Sequence, residues 1–182
     1  IFMSNKTKQK YLKQLGFYTG NIDGKIGKLS IQAIKDFQKS QGLEVDGKCG
    51  PITCNQLNVL ISNNWTVGDV RFTYIRTNGN IQVVYVNENC LISKNFRLKE
   101  FMMNAKTCEK IGISNKEVVL YEQIVIASQK LRNIFGSCTI NSGYRNVKYN
   151  KCIGGADGSM HVQGGALDLA FTFKPITIQD YI

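Results

Sequence analysis

The chain has 182 residues, of which 43% are hydrophobic, and a formal charge of +10 at pH 7. That length fits one small and one medium domain, large enough to hold a core without disulfides. The ordinary apolar content excludes global disorder, and no apolar run reaches the ~18–20 residues that cross a bilayer, so no membrane span is expected. The charge favours an anionic partner such as nucleic acid, a membrane surface or a bacterial wall polymer. The lysines are scattered, however, and no nucleic-acid motif accompanies them, so a solvated basic surface and no nucleic-acid partner are the expectation.

From Met3 to Lys13 the chain is polar and lysine-rich, with no apolar signal core and no small-residue cleavage site, so no signal peptide is expected. A helix over about Lys8 to Leu15 ends at Gly16. Residues 23–38 and 46–60 then repeat one pattern: an Asp-Gly turn, a second Gly, and an apolar stripe at helical spacing. Asp23-Gly24 and Asp46-Gly47 provide positive-φ turn positions. In the first copy Ser30 is the expected N-cap, Ile31, Ile34 and Phe37 form the stripe, and Gly42 is the stop. In the second, Pro51 sits where a first-turn proline is tolerated, and Leu57 and Leu60 continue the stripe. The pattern predicts a small three-helix bundle over residues 1–62.

Residues 16–27 (Gly-Phe-Tyr-Thr-Gly-Asn-Ile-Asp-Gly-Lys-Ile-Gly), followed by Ala33, Phe37, Gln38, Gly42, Leu43, Asp46, Gly47 and Gly50, resemble the peptidoglycan-binding domain 1 family over roughly residues 8–61. The resemblance implies bacterial peptidoglycan as partner. Cys49 and Cys54 stand where that family more often has apolar or aromatic residues. Phe17 and Tyr18 are candidates either for a substrate-binding aromatic surface or for core.

Residues 63–93 read as a linker and a β-hairpin, with β-formers alternating on both sides of Asn78-Gly79. Trp65 reads as a packing residue. Beyond Asn95 a new core begins with Phe96, Leu98 and Phe101. Ser114 and Glu117 suggest a capping box opening a helix from Glu117 to Phe135, with Leu120, Ile124, Ala127, Leu131 and Ile134 on its apolar face and Gly136 as its stop. Cys138 to Arg145 reads as a short strand leaving through a Ser-Gly turn.

The stretch Ser159-Met-His161-Val-Gln-Gly164-Gly-Ala166-Leu-Asp168 carries the chemistry. His161 is the chain's one histidine, and Gly164-Gly165 allow a sharp turn between it and a strand over Ala166–Phe173. Asp168 projects from the small-residue face of that strand, and burial there would demand a partner such as a metal. Imidazole with carboxylate suits zinc, and an ordinary hydrogen-bonded His–Asp pair is the alternative that these two residues leave open. With Ser142-Gly-Tyr-Arg145, Asn150 and Gly154-Gly155 upstream, the stretch resembles the zinc D-alanyl-D-alanine peptidase family, which also contains L-alanyl-D-glutamate endopeptidases and many phage endolysins, over roughly residues 94–182.

That resemblance implies an α+β domain with an antiparallel sheet, His161 and Asp168 as zinc ligands, Arg145 at a substrate carboxylate or oxyanion, and Ser159 as a supporting donor at the substrate. Asn150, Gly154 and Gly155 would shape a loop bringing Arg145 to the metal. The family pattern also needs a second histidine and an acidic base beyond the aspartate. Only Lys174 to Ile182 remain, with Asp180 the one late carboxylate, so a truncated domain is expected, and a wall-binding protein without catalysis is the alternative.

The expected whole is therefore an α+β protein: a peptidoglycan hydrolase dependent on zinc, acting as a monomer at the bacterial cell wall, and either made in the cytoplasm and released or trimmed at its N-terminus. The six cysteines form no C-x-x-C pair, so isolated buried thiols are expected over a disulfide framework. Cys49 and Cys54, the one close pair, are bridgeable in an oxidising compartment.

Overall fold

The computed structural model describes residues 3–172. It divides into two compact units, the first made of Ile1–Arg71 with Val84–Cys90 and the second of Phe72–Val83 with Leu91–Ile182. The architecture is α+β, and no described helix is long and apolar enough to cross a membrane.

The first unit holds α1 (Asn5–Gln14), α2 (Lys28–Ser40) and α3 (Pro51–Ser62). Ser4 caps α1 by accepting from the Thr7 amide, and Gly16 at φ 84° lets the chain leave the helix. Gly42 (φ 64°) does the same after α2, and Pro51 opens α3 at its first turn. Leu12, Ala33, Ile34, Phe37, Leu57, Leu60 and Trp65 are buried, so three single-faced helices share one core. Ser30 is not the N-cap of α2. Gly27 holds that position, and the Ser30 hydroxyl lies inside, accepting from Gln9 at 3.2 Å.

Both Asp-Gly turns are held by a buried glutamine from the preceding helix. Gln9 Nε2 donates to Asp23 Oδ1 (2.9 Å) and to the Lys25 carbonyl (3.0 Å), and its Oε1 accepts from the Gly24 amide (2.7 Å). Gln38 repeats this at the second turn, donating to Asp46 Oδ1 (2.7 Å) and the Lys48 carbonyl (3.0 Å) and accepting from the Gly47 amide (2.9 Å). The Gln9 side chain holds the Asp23 carboxyl below its ordinary range; at Asp46 the Lys48 amide is the larger cause and Gln38 the second.

Strands β1 (Val67–Ile75) and β2 (Ile81–Val86) form the hairpin, with Gly79 at φ 82° in its turn. The first strand starts at Val67, so little of residues 63–93 precedes the hairpin as linker. In the second unit a 3-10 turn (Leu98–Phe101) and α4 (Ala105–Lys110) precede β3 (Glu117–Tyr121), which completes a sheet of order β2-β1-β3. The expected helix from Glu117 is thus corrected: α5 runs from Glu122 to Phe135. The reason is a period-two pattern in Glu-Val-Val-Leu-Tyr, where Val118 and Leu120 are fully buried and their neighbours are not. Ser114 accepts from the Lys116 amide (3.1 Å), a local turn rather than a helix cap. The face of α5 shifts accordingly to Val125 and Ser128, and Ile134 is 71% exposed.

Strand β4 (Cys138–Ser142), α6 (Val147–Cys152), α7 (Met160–Gln163) and β5 (Asp168–Phe171) complete the described fold. The last two strands pair antiparallel, with Cys138 opposite Phe171, Ile140 opposite Leu169 and Ser142 opposite Asp168. The register slips between Ile140 and Ser142, so Asn141 is the extra residue of a bulge. Of the strand expected over Ala166–Phe173, Asp168–Phe171 is observed, and Phe173 lies outside the described residues.

Candidate metal and substrate site

The site forms where β4 leaves the small sheet and β5 enters it. Ser142 and Asp168 are cross-strand partners, and Arg145 lies one turn of loop beyond Ser142. The Arg145 guanidinium donates twice to Ser142 Oγ, from Nε at 2.9 Å and Nη2 at 2.7 Å, and reaches Asp168 Oδ2 at 3.4 Å. These bonds hold the planar fork beside the carboxylate and leave its remaining N–H donors for another acceptor.

His161 sits on α7, a single helical turn. Ser159 caps it, accepting from the His161 amide at 3.3 Å, and Gly164 ends it in the left-handed conformation (φ 78°). The spacing from His161 to Gly164 has a steric cause. A Cβ on Gly164 would come within 2.2 Å of the Val119 carbonyl oxygen, and the Gly164 carbonyl accepts from the Tyr121 amide at 3.1 Å. The turn after the histidine is therefore locked against β3, and no other residue fits there without backbone displacement.

Gly143 does comparable work on the other side. A Cβ there would meet the Phe101 carbonyl oxygen at 2.2 Å, and the Gly143 carbonyl lies 2.8 Å from His161 Nδ1. A carbonyl only accepts, so Nδ1 carries a proton and Nε2 is the ring nitrogen turned toward Asp168. The Arg145 amide donates to the His161 carbonyl at 3.1 Å, joining the two loops through backbone as well.

His161 Nε2 lies 3.5 Å from Asp168 Oδ1. Zinc bonds of about 2.0–2.2 Å to nitrogen and oxygen put tetrahedral ligand atoms about 3.4 Å apart, so these two atoms fit two corners of a zinc site. A zinc-bound histidine needs its other ring N–H held by an acceptor, and the Gly143 carbonyl holds it here. Among the described residues no third His, Cys, Asp or Glu joins them. Asp180 and the segment Lys174 to Ile182, the last carboxylate and the last stretch of sequence, lie outside the described residues.

One expectation is corrected by exposure. The Asp168 side chain is 56% exposed, against 12% for His161 and 16% for Arg145, so burial cost does not drive its pairing. Among the described residues its carboxylate opens to solvent. The loop role expected of Asn150 is also different. Asn150 is buried and donates from Nδ2 to the Ala156 carbonyl at 2.9 Å, its own carbonyl accepts from the Gly155 amide at 2.8 Å, and the Ala156 carbonyl accepts from the Ser159 amide at 3.3 Å. It therefore shapes the approach to the Ser159 cap rather than to Arg145. A Cβ on Gly155 would clash with the Asn150 side chain, which explains the glycine.

Tyr18 is 7% exposed; its hydroxyl donates to the Asn21 carbonyl (2.9 Å) and accepts from Gln9 (3.2 Å). Phe17 packs edge-on against Phe37 at 5.6 Å. Both rings thus have internal partners, and neither lines the cleft of about 200 Å³ that Leu15, Leu60, Ile61, Asn64, Trp65 and Val67 help to form in the first unit. The contributions of Gly143, through its carbonyl, and of Ser142, as the Arg145 anchor, had no signal in residue type. Only their place three residues and fewer before Arg145 hinted at them.

Residues 6–57 match the family model described as putative peptidoglycan binding domain, and residues 94–179 match that of peptidase M15. The zinc D-Ala-D-Ala carboxypeptidase of Streptomyces albus G is 29% identical over 150 residues, covering 81% of this chain and 49% of the relative. The N-acetylmuramoyl-L-alanine amidase CwlM of Mycobacterium tuberculosis is 45% identical over 56 residues, covering 31% of this chain and 14% of the relative. A spore cortex-lytic enzyme of Oceanobacillus iheyensis is 43% identical over 49 residues, 27% of this chain and 18% of that protein. The chain spans about half the length of the first and under a fifth of the other two. Residues 6–57 are thus similar to the putative peptidoglycan binding domain family, and residues 94–179 to the peptidase M15 family.

Proposed function

We propose that this chain carries a peptidoglycan hydrolase: a zinc peptidase portion, residues 94–182, that cleaves an amide bond of the wall stem peptide. A hairpin segment, residues 63–93, joins it to a peptidoglycan-binding module, residues 1–62. The observation that carries the reading is the pair His161 Nε2 and Asp168 Oδ1, 3.5 Å apart with the imidazole proton held by the Gly143 carbonyl. These two residues would hold the metal. Zinc supplies a Lewis acid that polarises a carbonyl and makes water nucleophilic near neutral pH.

The chain's own groups bind and orient around it. Gly143 selects the tautomer that offers Nε2 to a ligand. Arg145, braced by Ser142, offers its free N–H donors to a substrate carboxylate or to the oxygen on which negative charge develops. Ser159, whose oxygen already accepts from the helix, has its hydroxyl proton to donate to the substrate. A carboxypeptidase and an L-alanyl-D-glutamate endopeptidase both fit this donor set, and the site of action is the bacterial cell wall.

The test is zinc content after dialysis, together with amide cleavage in purified peptidoglycan. Stoichiometric zinc that is lost in His161→Ala, and release of new amino groups from the wall, are expected. A full-length protein that sediments with peptidoglycan yet binds no zinc and frees no amino groups would replace this reading by that of a non-catalytic wall-binding protein.

A further inference from the structure

The two Asp-Gly loops of the first unit align without a gap: Asp23-Gly24-Lys25-Ile26-Gly27 with Asp46-Gly47-Lys48-Cys49-Gly50, and Ser30-Ile31 with Thr53-Cys54. The alignment holds in three dimensions. Ser30 and Thr53 each accept from their clamping glutamine at 3.2 Å, and each hydroxyl faces the carbonyl of the loop lysine, at 3.4 and 3.5 Å. The positions filled by Ile26 and Ile31 in the first loop are therefore those filled by Cys49 and Cys54 in the second. A pair of apolar positions in one copy has become a pair of thiols in the other, both members at once.

Those thiols meet. Cys49 Sγ and Cys54 Sγ lie 3.3 Å apart, and the Cys54 thiol also donates to the Cys49 carbonyl at 3.2 Å. A disulfide needs about 2.05 Å between sulfurs, so closure asks for a shift of little more than about 1 Å, within reach of side-chain torsions. The framework is already rigid on both sides: Gln38 ties down Asp46, Gly47 and Lys48, and Cys54 sits in the first turn of α3.

We propose that Cys49 and Cys54 are an oxidisable pair that closes to a disulfide within the N-terminal module, with a low-molecular-weight disulfide such as oxidised glutathione as the oxidant. One thiol loses its proton and its sulfur attacks the glutathione disulfide, expelling one glutathione thiolate. The second cysteine, likewise deprotonated, attacks the protein-bound sulfur and expels the other. Two protein thiols are oxidised, one disulfide oxidant is reduced to two thiols, and both protons pass to the departing glutathiones. Cys49, half-buried where Cys54 is buried, is the accessible sulfur for the first attack. Burial, with the neighbouring Cys54, pushes its thiol up to about 12, so closure accelerates as pH rises from neutral.

The experiment equilibrates the full chain in a glutathione redox buffer, quenches with an alkylating agent, and maps the tryptic peptide that begins at Cys49. Expected is a peptide lighter by two hydrogens with neither cysteine alkylated, forming faster at pH 9 than at pH 7. A reductant-sensitive rise in the Tm of the first unit on the order of 5 °C should accompany it. The variant Cys49→Ile/Cys54→Ile, which installs the residues of the first loop, should fold and lose the reductant dependence. Alkylation of both cysteines after a control dithiol in the same buffer has oxidised would overturn the proposal. So would Cys49 trapped on glutathione, or joined to a different cysteine, without closing on Cys54.

Discussion

The clamped loops of the first unit and the His161 loop of the second use similar parts: a polar side chain, a tight glycine, and a helix that starts nearby. They dispose of their polar atoms in opposite ways. Gln9 and Gln38 are buried and spend both ends of their amides on their own loops. His161 spends one nitrogen on Gly143 and turns the other toward a carboxylate that is more than half exposed. Saturated polar groups rigidify a fold, and unsaturated ones facing solvent are what a ligand can use. The first unit is thus organised by its polar network, while the second carries a network braced from behind and open in front.

The largest effect should come from the bracing glycines. Gly143→Ala puts a Cβ 2.2 Å from the Phe101 carbonyl oxygen. A loss on the order of 3–4 kcal/mol is expected, read by denaturant unfolding and by faster amide exchange in β4 and α7. Tolerance within about 0.5 kcal/mol would show that the site is not held from behind. Next comes Gln38→Leu, which strips the Gly47 amide and three acceptors of their shared partner. A cost of about 2–3 kcal/mol should appear as lost exchange protection in residues 38–54, with β4 and β5 unchanged. Equal loosening of both regions would erase the contrast.

Substitution at the open face should do the reverse. Asp168→Asn removes only a well-exposed carboxylate, so the metal-free stability should move by less than about 1 kcal/mol. Zinc affinity should fall at least about 100-fold by calorimetry. Stability lost in proportion to zinc would make Asp168 a structural partner of Arg145 instead.

The smallest effect is acid titration of the clamps. The folded pKa values of Asp23 and Asp46 are depressed, so the contribution of these carboxylates is complete above the unfolded value near about 4. It is lost as pH falls through the lower folded values. Asp23→Asn/Asp46→Asn should flatten the acid limb of unfolding of the first unit by lowering its neutral stability toward the acid value. An acid limb as steep as before would assign that limb to other carboxylates. Glu122 should give the second unit an acid limb of its own: burial pushes it up, but the Thr77 amide and the Arg76 guanidinium outweigh that and its pKa is lowered overall.

Much of this molecule is legible in order of residues alone, because the signals are local. Gly16 and Gly42 stop helices where only a positive φ continues the chain, Pro51 starts one, and Asn78-Gly79 turns a hairpin. The spacing of Ser159, His161 and Gly164 likewise fixes its backbone, since a one-turn helix and a forced glycine turn are properties of a few consecutive residues. Where local signals competed, they misled. Ser114 and Glu117 resemble a cap, yet Val118 and Leu120 are drawn into a sheet by a partner strand far away in sequence. Ser30 resembles a cap, yet a buried glutamine from another helix claims it.

What the sequence by itself determined is therefore the α+β composition, the repeat and the turns, and it singled out His161, Asp168, Arg145 and Ser159 as candidates. Tertiary structure alone decided that Gln9 and Gln38 clamp the repeat, that the Gly143 carbonyl sets the His161 tautomer, that Ser142 anchors Arg145, and that Asp168 stands open to solvent. The division has a physical cause. Helix caps and tight turns are settled within a few residues of backbone, whereas the partner of a carbonyl, the orientation of a ring and the exposure of a carboxylate depend on which distant segments the burial of the core brings together.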